Sequence, residues 1–341
     1  MPAFGQIVVG PPGSGKTTYC AGMSAYLNVV GRPCAVINLD PANDDLRYDC
    51  AVDVAELCAL EEVMAQLDLG PNGGLVYCME FLAANADWLV AKLASNGGPL
   101  DKASGKDDYL LIDCPGQVEL FTHNDALKGL LRLLEERLDL RLVVVHLVDS
   151  HHCTDAATYI SASMLSLSTM LQLELPHINV LSKIDNLECY GTLAFHKGFY
   201  ADTSGLERLV PYVGTQPMKE GGSGEAGLAA QLSAAGAAGV ADTNAGTNGG
   251  DDKRRAGALG LARYQKLNGM LCDLVQQFSI VSFLTLNVMD PDSMCTVLQA
   301  TDKAIGYVQK SKERKAKLGD TTYLDEFRSA MPNVESEPSG L

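Results

Sequence analysis

"GQIVVGPPGSGKTTYC" (residues 5–20) is the stretch on which the fold turns. A short β-rich run ends at Gly10, and positions 10–17 then satisfy G-x-x-x-x-G-K-[ST] in full. Cys20, Met23, Leu27 and Val30 follow at helical spacing, so the motif ends a strand and opens a helix. That context separates it from a glycine-rich turn with a chance lysine. Gly10, Gly13 and Gly15 permit a loop whose backbone N–H groups wrap a phosphate, and the helix dipole turns its positive end toward the same anion. Lys16 adds a point charge on the terminal phosphates, and Thr17 offers a hydroxyl to Mg²⁺. The predicted cradle is Gly13, Ser14, Gly15, Lys16, Thr17 and Thr18.

Working outward, "CAVINL" (34–39) reads as a second strand after a helix ended by Gly31. "DYLLID" (108–113), "RLVVVHLVD" (141–149) and "HINVLS" (177–182) are near-continuous apolar runs. Runs of this kind suit strands buried on both faces of a parallel sheet. "IVSFLTLNV" (280–288) is a further candidate, and 53–67 has helical spacing. Strands alternating with helices predict an α/β fold of the P-loop NTPase type, an open, mostly parallel sheet flanked by helices. Residues 1–312 are expected to form one such domain. Within it, 215–257 is rich in Gly, Ala, Ser, Thr and Asn and is expected to be a disordered insertion. Residues 313–341 are expected to be a loose, charged and polar tail.

Two strand ends carry carboxylates. "YLLIDCPGQVEL" (109–120) ends its strand at Asp113, where a P-loop site holds magnesium, so Thr17 and Asp113 are the candidate metal residues. The Gly116 N–H can meet a γ-phosphate. Gln117 can orient an attacking water, and Glu119 can join that water network. "NLDPAN" (38–43) repeats the pattern with Asp40, a second candidate for the metal shell or the water. Helix or turn capping is the plainer reading of both aspartates, and a solvated loop that of Gln117 and Glu119. "NVLSKID" (179–185) supplies a base reader. A carboxylate accepts two parallel hydrogen bonds, and guanine presents two adjacent donors where adenine does not. Asp185 therefore selects guanine, and the Lys183 stem covers the base plane. The usual motif begins with Asn; Ser182 stands there instead. Asn287 is a further candidate near the base.

"LDLGPNGGLVYCME" (67–80) sets a rigid turn between apolar runs, with Asn72 at its tip. Locally, Gly70 reads as a helix C-cap and Pro71 as a stop.

The formal net charge of −16 argues against direct nucleic-acid binding and suits a basic partner. Ten cysteines are scattered singly, without C-x-x-C or zinc-type pairing, which points to a reducing compartment. His151-His152-Cys153 invites a metal, but adjacent residues point different ways. No apolar run reaches the roughly 20 residues of a membrane span, and the first strand begins too early to leave room for a leader.

Taken in order, GPPGSGKTT, NLDPAN, GPN, DCPGQVEL and SKID resemble the GPN-loop GTPases, over residues 4 to about 200 and 262 to about 310. The resemblance implies GTP and Mg²⁺ as ligands and a helical insertion bearing the Gly-Pro-Asn loop. It implies a homodimer, or a heterodimer with a paralogue, in which Asn72 reaches the partner's nucleotide. It also implies a role with RNA polymerase subunits or assembly factors in assembly and nuclear import, hence cytoplasmic residence with passage to the nucleus. Two other readings stand beside it. One is a P-loop kinase for a nucleotide or metabolite, which would need an acceptor site and lid arginines. The other is a scaffold that binds GTP without hydrolysing it.

Overall fold

The computed structural model describes residues 2–95, 98–100, 109–191, 193–203, 205–213, 266–278, 280–308 and 321–331. Its sheet has seven strands, all parallel, in the order β3-β2-β4-β1-β5-β6-β7. These are β1 (Ala3–Val9), β2 (Cys34–Asn38), β3 (Cys50–Asp53), β4 (Tyr109–Asp113), β5 (Leu140–Asp149), β6 (His177–Ser182) and β7 (Phe283–Thr285).

The apolar runs form central strands because both faces of each are covered. On β1, Ile7 and Val9 enter one core cluster and Val8 enters the other. Leu110 and Ile112 of β4 divide from Tyr109 and Leu111 in the same way. One face is roofed by α1 (Lys16–Val30), through Tyr19, Met23 and Leu27. The other is roofed by α3 (Pro71–Ala84), α4 (Ala86–Ala94) and α6 (Asp125–Leu138), through Leu82, Leu89, Leu130 and Leu134. From β1 the chain crosses to β2, leaving the gap that β4 later fills. The strand order reverses there, and the loops that follow β1 and β4 emerge side by side, the usual crevice for a ligand in such sheets.

The described chain divides into two compact units. One comprises Met1–Ser150, Leu165–Leu187 and Ser282–Leu341; the other comprises His151–Met164 and Glu188–Val281. The second unit centres on aromatic packing: Tyr159 meets Tyr200 edge-on and donates its hydroxyl to the Tyr200 carbonyl at 2.6 Å. Its helix 266–278 buries Cys272 and Val275.

Three expectations needed correcting. The helical pattern of 53–67 breaks into the end of β3, a 3₁₀ turn (Val54–Glu56) and α2 (Leu60–Leu67). The Asp53 carboxylate accepts from Ala55 N at 2.9 Å, capping the turn, and from Asn38 Nδ2 of the neighbouring strand at 3.0 Å, holding 53 extended beside β2. The last strand spans only Phe283–Thr285 of the nine-residue candidate. In the tail, Thr321–Ala330 is a helix whose Phe327 is fully buried, edge-on to Tyr26 at 5.8 Å. The insertion 215–257 lies outside the described residues.

Arg32, just past the α1 cap at Gly31, is nearly fully buried. Its guanidinium lies 3.9 Å from the Tyr109 ring centre and 3.6 Å from that of Tyr307, and Nη1 donates to both Asp302 oxygens at 3.0 and 2.9 Å. The pair ties the start of β2 to the end of the helix Pro291–Ile305. Removing one partner of a buried pair strands the other charge. Asp302→Asn is therefore expected to lower unfolding free energy by about 3 kcal/mol in urea melts; an unchanged midpoint would show that the clasp contributes nothing.

Candidate functional site

The motif loop has the shape its glycines allow. Gly15 caps α1 at φ 90°, in the left-handed region, and a Cβ on Gly10 would stand 2.3 Å from the Leu147 carbonyl oxygen. Ser14 N donates to Pro11 O at 3.2 Å. Lys16 Nζ folds back onto the loop and donates to the Gly10 and Pro11 carbonyls, each at 3.2 Å. Burial pulls the Lys16 ammonium below its ordinary range, opposed by the charges of Asp113 and Asp40. Thr18 is half-buried on the first turn of α1, beyond an exposed Gly13.

Parallel pairing brings Asp113 to this loop. Val8 of β1 and Asn38 of β2 both face Asp113 of β4 in register. Thr17 Oγ1 donates to Asp113 Oδ2 at 3.0 Å, so the two candidate metal residues are in contact. Asp113 is buried, and burial pushes its carboxyl up to about 6 against the hydrogen bonds from Tyr48 and Thr17. Gly116 lies against the motif loop: a Cβ there would come 2.9 Å from Lys16 Nζ and 3.2 Å from Pro12 Cα. Gln117 is the N-cap residue of α5 (Val118–Thr122). Asp113 Oδ1, Ser14 Oγ and Gln117 Oε1 are buried and, among the described residues, have no hydrogen-bond partner. Buried polar atoms of this kind around one cradle suit a bound cation and polyphosphate.

The base motif is joined to the same loop. Ser182 Oγ donates to the Ser14 carbonyl at 2.7 Å, so serine keeps a link across to the cradle despite its length. Lys183 follows in the left-handed region (φ 56°), and Asp185 is exposed, open to a base. Asn287 spends its Oδ1 on Met289 N at 2.9 Å, but its loop is fastened to the base motif by Ile184 N donating to Leu286 O at 3.2 Å.

Asp40 Oδ1 accepts from Ala42 N at 3.0 Å, so the plainer turn-capping role is realised, and burial raises its carboxyl above the usual carboxylate range. Glu119 is exposed. Gly70 does not end α2. That helix ends on Asp68, left-handed at φ 51°, while Gly70 is the N-cap of α3 with Pro71 in its first turn. Asn72 is thereby held, exposed, at a helix start, and among the described residues no hydrogen bond joins it to the cradle. His151 packs edge-on against Tyr190 at 5.0 Å, and the described residues contain no cluster of three or more metal-binding side chains.

Two residues escaped the sequence reading. Tyr48 donates its hydroxyl to Asp113 Oδ2 at 3.0 Å, and Asn43 Nδ2 donates to Thr17 Oγ1 at 3.2 Å. Asn43 closes the NLDPAN stretch, so a signal was present; Tyr48 sits in a polar loop that carried none.

The family model described as a conserved hypothetical ATP binding protein matches residues 8–235. The GPN-loop GTPase QQT1 of Arabidopsis thaliana is 44% identical over 305 residues, covering 89% of this chain and 86% of the relative. GPN-loop GTPase 2 of Danio rerio is 44% identical over 304 residues, covering 89% and 81%, and that of Saccharomyces cerevisiae 39% over 325 residues, covering 95% and 80%. The chain belongs to the GPN-loop GTPase family. A crystal structure of a GTPase from Pyrococcus abyssi in apo form shares the fold, with a TM-score of 0.55 at 21% identity, covering 88% of this chain and 97% of that one.

For a GPN-loop GTPase built this way, Lys16→Ala removes the cradle's one point charge. The variant is expected to lose the rise in melting temperature that millimolar GTP with Mg²⁺ gives the unaltered chain. A retained shift, read by differential scanning fluorimetry, would contradict the cradle.

Proposed function

We propose that this GTPase binds GTP with Mg²⁺ in the cradle of residues 13–18 and hydrolyses it in a reaction centre completed by the Asn72 of a second subunit. The observation that carries the reading is the Thr17–Asp113 contact, with Asp113 Oδ1 left over beside it. Those two residues would hold the metal, which when bound supplies positive charge to the phosphate oxygens. Lys16 would leave its own loop carbonyls for the terminal phosphates. The loop N–H groups and that of Gly116 would meet the same oxygens. Gln117, with a buried oxygen free to accept, would orient water for attack, and Asp40 would lend charge nearby.

The base is guanine in this reading, although the matching family model is described by ATP. Asp185 supports guanine: an exposed carboxylate in the turn just past β6 accepts two donors side by side, which adenine lacks. Relatives named as GTPases agree. The kinase alternative gains nothing here. The scaffold alternative fails if phosphate is released without an added acceptor.

Asn72 would act as a neutral donor to charge developing at the partner's γ-phosphate, in place of an arginine. Its exposure at a rigid helix start supports a reach beyond its own chain. We further propose that the GTP cycle switches the shape of a homodimer, or of a heterodimer with a paralogue. Its cargo would be RNA polymerase II subunits or their assembly factors during assembly and nuclear import. The acidic charge suits a basic protein partner.

Asn72→Ala is expected to leave GTP affinity intact and to slow single-turnover phosphate release by roughly ten- to a thousandfold, the range for one preorganised donor. An unchanged rate would leave Asn72 a helix-start residue and nothing more.

A further inference from the structure

Lys183 is a lysine in a backbone conformation that lysine avoids (φ 56°, ψ 37°). Such a residue persists only when its surroundings hold it there. Much of that hold comes from the neighbouring strand. β5 and β6 pair so that Asp149 faces Ser182, which brings Asp149 and Ser150 alongside the base motif. Ser150, fully buried, donates its hydroxyl to the Lys183 carbonyl at 2.9 Å. Asp149 Oδ2 takes the other end of the same residue, lying 2.9 Å from Lys183 Nζ. The stem between these two grips crosses the motif loop: Lys183 Cε is 3.9 Å from where a Cβ on Gly15 would be.

We infer that Asp149 and Ser150 form a positioning clamp for the nucleotide base. Ser150 fixes the backbone turn from which Asp185 projects, and Asp149 draws the lysine ammonium aside so that its methylene stem lies flat as a lid for the base. The inference rests on the guanine reading of Asp185. It assigns a task to two residues that touch neither phosphate nor metal in that reading. It also explains how a motif beginning with serine stays rigid. Ser182 spends its hydroxyl on Ser14 O at 2.7 Å and Val148 O at 3.3 Å, and the next strand steadies the rest. A clamp acts by raising the fraction of chains whose site is ready to bind, so its loss appears as weaker affinity with unchanged contacts.

The test uses the full chain and fluorescent N-methylanthraniloyl-GDP, with inorganic tripolyphosphate plus Mg²⁺ as a competitor that lacks a base. Asp149→Asn is expected to weaken the labelled GDP about five- to tenfold while tripolyphosphate competes as in the unaltered chain. Ser150→Ala should act in the same direction and serves as the second probe if Asp149→Asn folds poorly. In a Lys183→Met background, Asp149→Asn should add no further loss, because the aspartate acts through the lysine. Unchanged GDP affinity in both single variants, equal weakening of tripolyphosphate, or full additivity with Lys183→Met would overturn the clamp. Failure of the unaltered chain to bind labelled GDP would instead sink the nucleotide reading beneath it.

Discussion

The hydrogen bond from Thr17 to Asp113 is the constraint on which the rest of this molecule depends. The two residues are 96 positions apart, and only the insertion of β4 between β1 and β2 brings them together. Parallel pairing fixes where each strand stops relative to its neighbour, so Val8 and Asp113 share a level, and the loop after β1 must turn there. Gly10 makes that turn possible under the Leu147 carbonyl, and Gly116 lets the loop after Asp113 lie against Lys16. Larger residues at either place would push the two loops apart and dissolve the contact.

The same constraint has an electrostatic side. Packing Lys16 and Asp113 into a buried pocket shifts both toward neutrality: burial lowers the lysine and lifts the aspartate to about 6. Hydrogen bonds from Thr17 and Tyr48 offset part of the burden on Asp113. For an acid whose folded value lies above its unfolded one, folding is favoured while the group is protonated and weakens as pH rises from about 4 toward 6. The free chain therefore holds its site at some expense in stability near neutral pH. A ligand that brings both a cation and an anionic chain answers both charges at once, which is why this pocket suits a metal-bound polyphosphate better than either component alone.

Much of this was legible in the sequence, because the decisive features are local. The glycine and lysine spacing of the motif, the apolar strand runs and the carboxylates at strand ends each carry their meaning within a few residues. What was not legible depends on tertiary neighbours. The helix expected over 53–67 rested on the spacing of Val54, Leu57 and Leu60, yet its first residue, Asp53, ends β3, which pairs with β2 through Asn38 and is tied to it by the Asn38–Asp53 bond. Gly70 was read as ending a helix, yet Asp68 ends it two residues earlier in the left-handed region, which glycine adopts most readily and aspartate only at times. Tyr48 and Ser150 reach their partners across loops and strands whose pairing no short window of sequence records. The C-terminal helix was hidden by its charged approach; its Phe327, fully buried, packs against Tyr26 of α1, a neighbour far away in the chain.

The most direct measurement is isothermal titration of the purified chain with non-hydrolysable GTP and ATP analogues, each with and without Mg²⁺. The account predicts that the GTP analogue binds more tightly when Mg²⁺ is present and that the ATP analogue binds about a hundredfold or more weakly, since a site built to meet two donors is left unpaired by adenine. Equal affinity for the two analogues, or binding indifferent to Mg²⁺, would contradict it.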